Sequence, residues 1–134
     1  VTLNGETTTA PGTVREGRLL VVSRRAAPEV FHLRGGKPEP GEEPLDALVR
    51  ELDEELGAAP VAPRLLAEVE SVAALEGVPM RLTVYAAGLS RPPRTATELA
   101  DLRWITGREE GVRLAPAVTG HVLPLLRRSG AMAA

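Results

Sequence analysis

The chain contains no cysteine, which excludes a disulfide framework, a thiolate metal site and a thiol nucleophile. Aromatic residues are nearly missing. Phe31, Tyr85 and Trp104 are the whole set among 134 residues, so recognition built on stacked rings has little to draw on. Tyr85 and Trp104 are expected in the core. Lysine is reduced to Lys37, and every other basic side chain is arginine or histidine. No apolar run approaches the roughly 20 residues of a membrane span. The N-terminus also lacks the charged-then-apolar plan of a secretion signal. A formal net charge of −2 gives no general attraction to a nucleic-acid polymer or an anionic membrane. A cytoplasmic protein with neither of those partners is expected, as a monomer or a homodimer.

With 43% of its residues apolar, the chain can fill one core, and residues 1–134 read as one domain. The small residues 129–134 are expected to fray. Glu6 to Val14 is rich in Thr and Val, and Arg15-Glu16-Gly17 reads as a turn. Arg18 to Arg24 has the continuous apolar centre of a buried strand, and Val30 to Leu33 suits a second short one. Pro38, Pro40 and Gly41 hold a loop. Pro44 and Gly57 then mark the first turn and the cap of a helix. Between them Leu45, Leu48, Val49, Leu52 and Leu56 recur at helical spacing and predict a buried stripe. Arg64 to Leu75 and Met80 to Leu89 read as a hairpin turning at Glu76-Gly77. Ser90 to Thr97 reads as a loop and Leu99 to Ile105 as a last strand. Ala115 to Arg128 has helical periodicity, which Pro124 should kink or stagger. Strands interrupted by one central and one terminal helix imply an α/β fold with a mixed sheet between helices.

One stretch carries chemistry. Gly36 to Ala58 reads G-x5-E-x7-R-E-L-x-E-E-x-G-A, with Gly36, Glu42, Arg50, Glu51, Glu54, Glu55 and Gly57 at its fixed places. Chance gives so many fixed letters in a chain of this length and composition less than roughly once in ten thousand. Glu51, Glu54 and Glu55 fall at i, i+3 and i+4 and so cluster on one side of the helix, with Arg50 beside Glu54. On an arbitrary helix these would be a solvated acidic face. Here a Gly-Gly-Lys loop precedes them. Clustered carboxylates also suit a hard cation such as Mg²⁺, which takes oxygen ligands and shares them with substrate phosphates.

The stretch resembles the box of the Nudix hydrolases, which cleave nucleoside diphosphates linked to another group, and its flanks resemble the MutT-like subgroup. The resemblance implies an α/β/α sandwich with a mixed sheet and a Mg²⁺-dependent enzyme, with Mn²⁺ as an alternative cation. It also implies site residues. Glu51, Glu54 and Glu55 would ligate the metal with the Gly36 carbonyl, Glu42 would lie near it, and Arg50 would orient a glutamate. Glu98 matches an extra glutamate that some members place before the last strand, as a metal ligand or general base. It competes with Glu54, the preferred candidate, for the role of general base. Lys37 and Arg25 are the candidates for phosphate contacts. Arg34, which stands where a proline usually precedes the two glycines, is a further one. Leu33 would offer an aliphatic wall to a base. His32 and His121 read as structural or surface residues, since nothing pairs with them at metal spacing.

The departures bear on substrate. Val118 stands where an asparagine would read oxidised guanine, and it can neither donate nor accept that bond. The proline that marks many ADP-ribose hydrolases and the tyrosine that marks dinucleoside polyphosphate hydrolases are both missing from Glu70 to Leu75. Ala58 replaces a larger aliphatic residue. A nucleoside triphosphate is therefore the first expectation, with ADP-ribose or a nucleotide sugar as the alternative. A nucleotide sensor without turnover is the rival from another class, and the intact glutamates argue against it.

Overall fold

The fold is built around one short apolar strand that is covered on both faces. The structure, a computed structural model, describes residues 6–33, 38–72, 79–94 and 99–133. Along them run β1 (Glu6–Gly12), β2 (Val14–Arg15), β3 (Arg18–Arg24), β4 (Ala27–His32) and α1 (Pro44–Leu56). There follow β5 (Pro60–Val72), β6 (Pro79–Leu89), β7 (Leu99–Ile105), β8 (Arg113–Leu114), a π-helical turn (Val118–Val122) and α2 (Leu123–Arg128). Leu19 pairs with both Val14 and Ile105, and Val22 with both His32 and Leu102. β7 therefore flanks β3 on one side, while β2 and then β4 flank it on the other.

Successive strand residues point to opposite faces, and β3 uses both of them. Leu19 and Val21 enter one apolar cluster with Val118, Val122, Leu123 and Leu126 of the terminal helical segment. Leu20 and Val22 enter the other with Leu48, Leu52 and Leu56 of α1. The sheet thus lies between two helices, as expected. Each fully buried leucine or valine in these clusters stabilises the fold by about 1.5–3 kcal/mol relative to exposure.

A second sheet, in the order β1-β6-β5, carries the long antiparallel hairpin foreseen from sequence. Its turn at Glu76-Gly77 lies outside the described residues. β5 begins four residues earlier than its apolar pattern suggests, and Pro60 and Pro63 lie inside it. A proline is tolerated there because β5 is an edge strand of this sheet. The strand pays with a register shift between Val61 and Arg64, where Ala62 adopts a left-handed φ of 49°. The parallel pairing of β1 with β6 and the two-residue strand β8 had no periodic signal long enough to announce them.

Pro124 staggers the terminal helix, as its missing N–H requires. The chain first makes a wide turn in which Leu123 N–H donates to the Val118 carbonyl, five residues back. Regular α2 starts only where Pro124 can occupy the first turn. Arg127 ties this helix to the loop after β7, its Nη2 donating to Thr106 O at 3.1 Å. Glu109 anchors the same loop. Burial raises its pKa, but hydrogen bonds from the Thr106 and Gly107 amides and the Thr106 hydroxyl outweigh that and hold it at about 2.

Candidate active site

α1 has the ends its sequence announces. Pro44 fills the first turn, where no N–H is needed, after Glu43 in an extended conformation. Gly57 closes the helix at φ 65°, and its N–H donates to Asp53 O at 3.2 Å. A side chain at 57 is disfavoured by the left-handed backbone and would displace the Arg94 side chain, since a Cβ there would lie 2.6 Å from Arg94 Nη2.

The rotation of α1 about its own axis corrects the expected stripe. Leu45 and Val49 are 38% and 43% exposed, while Ala47, Leu48, Leu52 and Leu56 are buried. On a helical wheel the buried arc is turned by ~60° from the apolar stripe, toward the flank that carries Glu51 and Glu55. Those two carboxylates are consequently half-buried, whereas Glu54 and Asp53 face solvent. Apolar burial alone would have turned the helix the other way.

Arg50 gathers the acidic groups. Its Nε donates to Glu42 Oε2 at 3.0 Å and its Nη2 to Glu42 Oε1 at 2.9 Å, a two-pronged grip on the loop before the helix. Its Nη1 donates to Glu51 Oε1 at 2.9 Å and lies 3.6 Å from Glu54 Oε2. Glu42 Oε1 also accepts the Glu39 N–H at 2.9 Å. Hydrogen bonding from Arg50, aided by that amide, holds the Glu42 carboxyl below the usual carboxylate range, and the same bond raises the Arg50 pKa. Both oxygens of Glu42 are therefore engaged in fastening the loop.

The remaining sequence candidates fall in different places. Arg25 is exposed in the tight turn between β3 and β4. Leu33 is buried, in the cluster that also holds Phe31, Leu82 and Val118. Val118 is likewise fully buried. His32 bonds the Leu33 carbonyl through Nδ1 at 2.8 Å, in keeping with a structural role. Tyr85 and Trp104 are partly buried against the α1-side cluster. The guanidiniums of Arg15 and Arg103 lie 5.3 Å and 4.8 Å from the ring centroids of Trp104 and Phe31. Gly36, Lys37, Arg34 and Glu98 lie outside the described residues.

Two residues at the end of α1 had no sequence signal. Ser90 and Arg94, in the loop after β6, bond the backbone at Ala59 and Leu56. They stand more than thirty positions from their partners, and no periodicity or spacing links them.

The donor chemistry around α1 fits a hard divalent cation: carboxylate oxygens, two of them on half-buried side chains, with no soft ligand nearby. Among the described residues no group of three or more acidic or histidine side chains converges on one point. A cation here would be held by one or two of Glu51, Glu54 and Glu55 together with other oxygens, the manner in which Mg²⁺ binds alongside substrate phosphates.

The model of the NUDIX domain matches residues 7–125. The chain is similar to the MutT NUDIX hydrolase of Burkholderia pseudomallei, with 30% identity and a TM-score of 0.78, over 90% of this chain and 97% of that one. It is also similar to the ORF135 protein of E. coli, with 29% identity and a TM-score of 0.66, over 93% and 88% of the two chains. The NUDIX domain of Shewanella oneidensis NrtR, solved with ADP ribose, shares the fold at 16% identity and a TM-score of 0.73, over 96% and 90%. Among curated proteins there is no sequence match.

Proposed function

The chain belongs to the NUDIX family and is a hydrolase acting on pyrophosphate bonds, and from that premise we propose a Mg²⁺-dependent nucleoside triphosphate pyrophosphohydrolase. The observation that carries the proposal is Arg50, which holds Glu42, Glu51 and Glu54 beside the half-buried Glu55. That arrangement fixes Glu51 and Glu54 on a rigid helix and fastens the loop before it through Glu42, as a site for metal-bound phosphates needs.

When bound, Mg²⁺ would neutralise charge on the pyrophosphate and withdraw electrons from the phosphorus under attack. Glu51 and Glu55, half-buried on the inward flank of α1, are its side-chain ligands in this reading, with the Gly36 carbonyl. Glu54 faces solvent and takes a proton from the attacking water, Glu98 being the competitor for that role. The water oxygen bonds to phosphorus, the bridging oxygen leaves with the electron pair, and pyrophosphate is released. Arg25 and Lys37 meet the phosphates as fixed positive charges, and Arg34 is a further contact. Leu33 lines the base side. Mn²⁺ would serve the same ligands.

The burial of Val118 and the use of all three aromatic rings in packing support a base site without hydrogen-bonded reading of oxidised guanine. ADP-ribose or a nucleotide sugar is the second reading, and the fold shared with an ADP-ribose-binding domain favours testing it. A Mg²⁺-dependent panel of nucleoside triphosphates and ADP-ribose, with product identification, separates the two. Pyrophosphate and a monophosphate from a triphosphate support the first. AMP from ADP-ribose alone overturns it, and tight nucleotide binding without turnover would make the domain a sensor.

A further inference from the structure

The loop after β6 is fastened to the end of α1 by groups that lie outside the motif. Ser90 N–H donates to Ala59 O at 2.9 Å, and Ala59 N–H donates to Ser90 Oγ at 2.9 Å. Arg94 N–H donates to Leu56 O at 2.9 Å, satisfying one of the end carbonyls that a helix cannot satisfy itself. The Arg94 guanidinium rests against the bare α-carbon of Gly57. A Cβ there would stand 2.6, 2.9 and 3.1 Å from its Nη2, Nε and Cζ. No basic residue lies in the last turn of α1 itself, which carries Glu54 and Glu55. Arg94 therefore brings positive charge from another element to the negative end of that helix.

We propose that Arg94 is a positioning residue for the carboxylate helix: beside the backbone bond to Leu56 O, which any residue at 94 would keep, its guanidinium packs against Gly57 and fixes the last turn of α1. It thereby sets how Glu55 meets a divalent cation and where Glu54 stands beside it. This inference rests on the reading of α1 as the metal-binding helix. Two effects of removing Arg94 have opposite signs. Loss of a nearby positive charge would favour cation binding, whereas loosening the last turn would disfavour it. Arg94 is exposed, so the solvent around it weakens the pull of its charge, while the loss of its packing against Gly57 is not weakened by solvent. The geometric effect wins.

The experiment measures Mn²⁺ binding without nucleotide, by calorimetry or electron paramagnetic resonance, together with kcat, KM and Tm. Arg94→Ala should weaken Mn²⁺ binding by roughly tenfold, the low end for residues that orient metal ligands. It should lower kcat similarly and leave KM for nucleotide little changed. Arg94→Gln, which keeps a planar hydrogen-bonding group without the charge, should recover most of the loss. Ser90→Ala, which cuts the same attachment elsewhere, should move Mn²⁺ affinity in the same direction by less. A lower Tm with unchanged Mn²⁺ affinity and kcat would make Arg94 a mere stabiliser and overturn the proposal. Tighter Mn²⁺ binding in Arg94→Ala would overturn it too, because charge would then dominate position. If wild type binds Mn²⁺ and hydrolyses nucleotide while Arg94→Ala does both equally well, only this inference falls. A wild type that does neither sinks it together with the metal-helix reading.

Discussion

α1 and the terminal helical segment lay aliphatic side chains against opposite faces of β3, but of the two only α1 leaves large aliphatics exposed. In the terminal segment Val118, Val122, Leu123 and Leu126 are all buried, and Arg127 and Arg128 sit in the last turn, where cations favour a helix. In α1, Leu45 and Val49 are left in solvent while two carboxylates are half-buried. Glu54 and Glu55 also stand at the end where negative charge is unfavourable. Three local preferences are violated within one 13-residue helix. Violations of burial and charge preference that concentrate in one element and not in its counterpart mark a place where function has overridden stability.

This contrast predicts that the two helices fail differently. Leu126→Ala should cost about 2–5 kcal/mol of stability, as deletion of a fully buried leucine does, and be seen as a lower denaturation midpoint. Activity per folded molecule should stay near wild type; a specific loss of kcat would break the division of labour between the helices. Glu54→Gln should do the reverse. It is expected to lower kcat by at least about a hundredfold, the usual scale for removing a general base. Tm should be unchanged or slightly raised, since an acid leaves the negative end of a helix. Near-normal kcat would exclude Glu54 as the base and leave Glu98 as the candidate.

Arg50 tests the site at finer scale. Arg50→Lys keeps the charge but cannot hold Glu42 by two parallel bonds while also reaching Glu51. Metal affinity, read by calorimetry, should fall by roughly tenfold, as it does when groups that orient metal ligands are changed. If Lys substitutes fully, the grip on Glu42 has no part in ordering the carboxylates, and simple charge balance accounts for Arg50.

Much of this was legible in the sequence, for identifiable reasons. β3 shows as a strand because four adjacent aliphatics can all be buried only when both faces are covered. α1 announces its ends because Pro44 and Gly57 have backbone requirements that no neighbour can change. The glutamates and Arg50 are legible because helical spacing alone brings them together. What stayed hidden depends on contacts distant in the chain. The clasp of Ser90 and Arg94 on α1 joins residues brought together only by the β6 turn-back. The parallel β1–β6 pairing has the same character. The rotation of α1 differs from the apolar stripe because hydrophobic periodicity reports the favoured face, while the observed face also accommodates Glu51 and Glu55.

That rotation supports the last and smallest prediction. Val49 belongs to the apolar stripe, so a reading from sequence alone would assign it a core role, and Val49→Gln would then bury an unsatisfied amide. In the structure Val49 is 43% exposed and its neighbour Leu48 is 1% exposed. Val49→Gln should therefore change stability by less than about 0.5 kcal/mol, the ordinary range for a surface substitution. Leu48→Gln, one position away, should cost several times more, because it removes apolar contacts and strands a polar group in the α1-side cluster. Urea denaturation of the two variants measures the difference directly. Equal losses would mean that α1 sits on its apolar stripe in solution. Glu51 and Glu55 would then turn away from the sheet, and the half-burial that distinguishes this helix from its counterpart would disappear.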